Sequence, residues 1–239
     1  MRAQFAGLAG SWHVRMFVGI LVGLLAAPHT GHTQPLEVRC GVEAVNAWDD
    51  TGMAVERPVT FYQAPAQGGY FALGVGADNQ AGGARSTLCL VKDLSPRGDA
   101  LAPPQNYQRL WWDRGSTARR NAAVWLPLCP PGYVGLGFVV QAHYRKPAQD
   151  ALRCVHSTLT VAATVVAAGT AGSAVAPVYK DEGSLAFEDL SVWRAAATDG
   201  VQTGSLFAWG RHAMPSPKDG LRLLSRRKVR FTADPAVEK

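Results

Sequence analysis

The chain has 239 residues, of which 47% are apolar and 18% charged, with 25 Gly, 15 Pro, 4 Cys and a formal charge of +6. That balance excludes intrinsic disorder, and the glycines have no three-residue period, which excludes collagen. No apolar run long enough to span a bilayer lies inside the body, which excludes a multispan membrane protein built of helices.

Residues 1–34 read as a targeting segment: Arg2, His13 and Arg15 precede an apolar run from Met16 to Ala27, with no acidic residue before Glu37. The run matches a signal-peptide core and falls short of the roughly 20 residues that a spanning helix needs. The expectation is export, with the mature chain beginning in 28–36. The alternative is an N-terminal membrane anchor. About 205 residues remain after such a leader, enough for a single domain with a real core. Without Arg2 and Arg15 the balance is 22 basic residues against 18 acidic. The segment Leu221–Arg230 holds five of the basic ones (Arg222, Arg226, Arg227, Lys228 and Arg230), so the rest is nearly neutral.

Internal repetition dominates the remainder of the chain. Trp48-Asp49-Asp50-Thr51-Gly52 leads to Val59-Thr60-Phe61-Tyr62 and then to Gly69-Tyr70 and Leu73-Gly74. Trp112-Asp113-Arg114-Gly115 leads to Ala123-Val124-Trp125 and then to Gly132-Tyr133 and Leu136-Gly137. Tyr179-Lys180-Asp181-Glu182-Gly183 leads to Leu190-Ser191-Val192-Trp193 and then to Gly204. From turn glycine to strand-ending aromatic is ten residues each time (52 to 62, 115 to 125, 183 to 193). A further apolar run recurs at Cys89, Cys154 and Leu223. The spacing predicts three pseudo-repeats of about 65 residues, roughly 36–100, 101–166 and 175–230, within a single domain over 35–239.

Each unit reads as β, with short runs of Val, Trp, Tyr, Phe and Leu between Gly, Pro, Asp and Ser clusters. Asp-x-Gly is turn chemistry, because Asp bonds to nearby backbone and Gly supplies positive φ. Thr158–Val166 reads as one strand closing the second unit, followed by an Ala/Gly connection to Pro177. The expected class is all-β and β-prism-like, with a β-sandwich as the alternative. An α/β enzyme fold is not expected.

The blocks Ala102-Pro103-Pro104-Gln105-Asn106-Tyr107, Trp125-Leu126-Pro127-Leu128-Cys129-Pro130-Pro131-Gly132-Tyr133 and Arg153-Cys154-Val155 resemble the vacuolar protein sorting-associated protein 62 family. Leu36-Glu37-Val38, Thr60-Phe61-Tyr62 and Gly200-Val201 continue that resemblance, which covers about 36–224. It implies no agreed activity and no catalytic residues. Longer members continue into a His-Pro-rich segment, whose properties do not transfer here. The repeats are also similar to multivesicular-body-associated β-prisms, which implies membrane association at the level of fold alone.

Candidate chemistry is sparse. Asp50, Asp113 and Asp181 occupy matching places and could be glycan ligands, though turn bracing accounts for a threefold recurrence more simply. A catalytic carboxylate pair must converge on one bond, and matching copies are expected to point apart. No G-x-S-x-G elbow occurs, and His143, His156 and His212 have no zinc-ligand spacing, so no catalytic residue, metal or cofactor is expected. Cys40, Cys89, Cys129 and Cys154 allow three pairings in an exported chain. The shared place of Cys89 and Cys154 with Leu223 equally allows an inward apolar role. The basic strip at 221–230 suits anionic lipid headgroups or acidic glycans. Nucleic acid is not expected, since no reader motif is present. The reading is a secreted, non-enzymatic binding module for a membrane or cell surface, with a lectin-like glycan binder as the alternative.

Overall fold

Short β-branched and aromatic runs, each stopped within a few residues by Gly, Pro or Asp, cannot build long strands; they build many small ones. In the computed structural model, which describes residues 34–79, 87–166, 175–204 and 206–232, the strands fall into six small sheets with no α-helix among the described residues. Residues 1–33, which include all but the last residue of the expected leader, and most of the Ala/Gly connection lie outside the described residues.

Three sheets share one plan, a central strand with an antiparallel neighbour on each side. β1 (Leu36–Cys40) and β4 (Phe71–Ala72) flank β6 (Cys89–Asp93); β7 (Leu101–Ala102) and β10 (Tyr133–Val134) flank β12 (Cys154–His156); β13 (Thr160–Ala162) and β17 (Gly200–Val201) flank β19 (Arg222–Ser225). The final strand, β20 (Val229–Phe231), lies parallel to β1 with Leu36 opposite Val229. Of the other three sheets, two are hairpins with one strand added and the third has four strands. β3 (Val59–Gln63) sits between β2 (Val45–Asp49) and β5 (Gly76–Asn79), and β9 (Ala123–Leu128) between β8 (Asn106–Trp112) and β11 (Val139–Gln141). β16 (Ser191–Ala196) pairs with β14 (Thr164–Val166), β15 (Tyr179–Lys180) and β18 (Phe207–Trp209).

Thr158–Val166 is not one strand closing the second unit. Its start is a 3-10 turn, Ser157–Leu159, and the remainder breaks at Ala163 into β13 and β14. Both halves pair forward, β13 with β19 and β14 with β16, so the stretch belongs with the third group of strands. Buried Ala163 marks the break, its N–H donating to Leu221 O while the chain passes from one sheet to the next.

Two main cores arise from the two sets of sheets. The hairpin set encloses aromatics: Trp48, Phe61, Trp111, Phe138 and Tyr179 are fully buried, and Phe61 meets Phe138 and Tyr179 edge-to-face at 5.9 Å. The other set encloses Leu36, Val38, Leu73, Val91, Leu136, Val155, Val201 and Leu224.

Candidate functional site

The three Asp-x-Gly turns close in the same way. Asp50, Asp113 and Asp181 are 6, 5 and 4% exposed, and each carboxylate accepts the backbone N–H nine residues on, from Val59 (3.0 Å), Ala122 (2.9 Å) and Leu190 (2.8 Å). Each aspartate carbonyl also accepts the N–H three residues on, at 2.9 Å in all three turns. The side chain thus replaces part of the hydrogen bonding that an eight-residue excursion gives up. In each turn one oxygen of the buried carboxylate is engaged by a backbone N–H. Burial and then the charges of Asp50, Asp181 and Asp113 push the buried Tyr179 hydroxyl well above its ordinary pKa. Burial likewise pushes Asp50 up to about 6.

The turns also lock to one another. A Cβ on Gly52 would meet Thr117 O at 2.7 Å, one on Gly115 would meet Leu185 O at 2.7 Å, and one on Gly183 would meet Ala54 O at 2.8 Å. The Arg119 N–H donates to Thr51 O and the Phe187 N–H to Arg114 O, both at 2.9 Å. The aromatic two residues before each aspartate reaches into the next turn: Trp48 Nε1 donates to Arg120 O (2.9 Å), Trp111 Nε1 to Asp181 Oδ2 (2.7 Å), and Tyr179 Oη approaches Met53 Sδ at 4.0 Å. Trp111, not Trp112, therefore corresponds to Trp48. Trp112 is half-exposed, with the Arg109 and Arg114 guanidiniums 3.6 and 4.2 Å from its ring centroids.

Of these turns the third differs. Leu185 and Phe187 are 71 and 78% exposed, the most exposed large apolar side chains among the described residues. Leu185 is also the one non-glycine with positive φ (67°) among them. Sequence reasoning passed over both. The signal was present, because the places two and four residues after the turn glycine hold Ala54 and Glu56 in the first segment and Thr117 and Arg119 in the second. Beside this turn, His212 Nε2 lies 2.7 Å from Asp181 Oδ1 and 3.8 Å from Asp189 Oδ1.

The basic segment is not a single closing strand but β19, a 3-10 turn over Arg226–Lys228, and β20. Its charges divide accordingly. Arg222 is engaged with Thr160, its Nε on Thr160 Oγ1 (2.5 Å) and its Nη2 on Thr160 O (3.1 Å). Arg230 clasps the buried Glu37 through Nε (2.7 Å) and Nη2, while Tyr70 Oη donates to the other oxygen of that carboxylate. Arg226, Arg227 and Lys228 are exposed together on the turn, and among the described residues Arg227 makes an ion pair, with Asp199 at 3.4 Å.

All four cysteines are bonded, Cys40 to Cys89 and Cys129 to Cys154. The inward apolar role fits burial but not bonding: Cys89 and Cys154 are buried, yet both are cross-linked. Cys40 and Cys89 face each other on β1 and β6 with Cα atoms 4.0 Å apart, so strand register places the pair. Cys129 reaches Cys154 from the Pro-rich turn after β9.

Among the described residues no group of three or more His, Cys, Asp or Glu is placed to hold a metal. A cleft of about 310 Å³ lies between Glu56-Arg57 and Lys180–Gly183, and one of about 210 Å³ between Pro127, Phe207 and Trp209.

A solved structure, GNIP1Aa from Chromobacterium piscinae, is similar in fold, with a TM-score of 0.70 at 23% identity. The similarity covers 83% of this chain and 38% of that one, so the chain spans well under half the length of its neighbour. No curated protein matches the chain. The family model described as Vacuolar protein sorting-associated protein 62 matches residues 36–239. All six sheets and both disulfides fall inside that match, and the chain belongs to the vacuolar protein sorting-associated protein 62 family.

Proposed function

We propose that this chain is an extracytoplasmic, non-enzymatic binding module that associates with a membrane or cell surface, built as three pseudo-repeats in a prism-like arrangement. The observation that carries the reading is the cationic turn Arg226–Lys228, where three adjacent basic side chains are exposed and one of them has an acidic partner. A compact exposed cation cluster attracts anionic headgroups by about 1 kcal/mol per residue near the surface. The extracytoplasmic placing is supported by the two disulfides, which persist in oxidising compartments, and by the leader-like segment at 1–34. The non-enzymatic reading is supported by the employment of the three buried aspartates as turn braces.

The test is cosedimentation with anionic vesicles in low salt. The triple variant R226Q/R227Q/K228Q is expected to bind about tenfold or more weakly than the parent, with unchanged thermal stability. Equal binding by both proteins, or none by the parent, overturns the reading.

A further inference from the structure

The excursions that follow the three turn glycines, 53–58, 116–121 and 184–189, match in length but not in fastening. Two of them open on a serine whose Oγ accepts the N–H two residues on. Ser116 takes it from Ala118 (3.2 Å) and Ser184 from Ala186 (3.1 Å). The first excursion has Met53 in that place, and a thioether is too weak an acceptor to supply the brace.

The seams between the turns differ in the same sense. The second excursion is tied to the first turn by the Arg119 N–H on Thr51 O (2.9 Å), Thr117 Oγ1 on Gly52 O (2.6 Å) and Arg120 with Asp49 (3.3 Å). The third is tied to the second turn by the Phe187 N–H on Arg114 O (2.9 Å), with Trp111 Nε1 on Asp181 Oδ2 (2.7 Å) and Arg109 with Glu188 (2.9 Å) beside it. The same spacing would set the Glu56 N–H on Glu182 O. Among the described residues that bond is not formed, and no ion pair joins 53–58 to the third turn. Glu56 has its neighbour Arg57 at 4.0 Å, while Glu182 pairs within its own turn with Lys180 (2.5 Å).

Packing repeats the contrast. A Cβ on Gly52 would crowd Thr117 and Arg119, and one on Gly115 would crowd Leu185 and Phe187. One on Gly183 would meet Ala54 O and nothing else within 4 Å. The space so left is the cleft of about 310 Å³, with Glu56 and Arg57 on one wall and Pro177, Lys180, Glu182 and Gly183 on the other.

We infer that residues 53–57 form a flap, hinged at Gly52 and Pro58, that swings away from the third turn and gates the cleft between them. Lacking two hydrogen bonds that its counterparts keep, it opens about tenfold or more readily than they do. Opening lifts Met53 and Val55, both packed against the aromatic core, and widens the cleft. The flap is a local opening of the native state, far short of unfolding. It is independent of the membrane reading, which concerns the 226–228 turn.

The experiment is native-state hydrogen exchange, read by NMR on the disulfide-bonded protein. Met53, Ser116 and Ser184 are matched amides, each donating to the carbonyl of its own aspartate at 2.9 Å. A difference among them therefore reports opening, not a missing bond. Corrected for intrinsic rates, the Met53 amide is expected to exchange about tenfold or more faster than the other two. M53S supplies the absent brace and should narrow that gap. S116M removes the brace from the second excursion and should bring its position 116 towards the rate of Met53. Equal protection of the three amides in the parent overturns the inference. So does a gap that M53S leaves unchanged and S116M does not reproduce in the second excursion.

Discussion

A buried carboxylate is normally a liability, and Asp50 shows what the turn gains and loses by having one. Burial pushes its pKa up to about 6, against the opposing pull of the Val59 and Asp50 backbone N–H groups. Because the folded value is raised, the group is easiest to bury when protonated. Its stabilising share is complete below the ordinary carboxylate range and is lost as pH rises through about 6. Against the D50N variant, which keeps an acceptor oxygen, the parent is expected to lose on the order of 2–3 kcal/mol of relative stability between pH 4 and pH 7. Parallel urea titrations at the two pH values check this; a constant difference would mean that the charge costs the turn nothing.

At the scale of the element, the turns matter more than the strands they join. Gly115 has a φ of 90°, and a Cβ there would run into the Phe187 ring and Leu185 O. Replacing it with Ala imposes backbone strain and forces two turns apart, so G115A is expected to cost on the order of 1–3 kcal/mol in chemical denaturation. Asp50, Asp113 and Asp181 with their glycines were legible in the sequence, because turn chemistry is local and leaves a fixed spacing. How one turn rests on the next was not, because Thr117, Leu185 and Ala54 touch their glycines through backbone oxygens, which carry no residue signature. The break at Ala163 was equally hidden: Thr158–Val166 is mostly small or β-branched, and only pairing with two different sheets divides it. Leu185 and Phe187 were not legible as an exposed pair, because apolar residues in a β chain read by default as core. Only comparison with Ala54, Thr117, Glu56 and Arg119 singles them out.

For the whole molecule, strands only two to seven residues long leave cohesion to the cores and the cross-links. The disulfides close loops 49 and 25 residues apart in sequence, one inside a sheet and one from a turn to a sheet. Each is expected to contribute about 3–4 kcal/mol by restricting the unfolded chain. Removing Cys129–Cys154 by paired replacement with Ser should lower the free energy of unfolding in urea by that amount, and addition of reductant should leave the parent less stable than either single-bridge variant. A parent indifferent to reductant would contradict it.

The parallel pairing of β20 with β1 has a geometric consequence. Leu36 faces Val229 and Val38 faces Phe231, so the chain enters and leaves its folded unit along one ladder, in the same direction, a strand's length apart. Glu37 and Arg230 fasten that ladder from the side. Leu36 at the start of one strand and Phe231 at the end of the other therefore lie at opposite ends of a single short sheet seam. Pulling on the two together shears that seam first, loading its hydrogen bonds and the Glu37–Arg230 clasp in parallel before any force reaches the aromatic core.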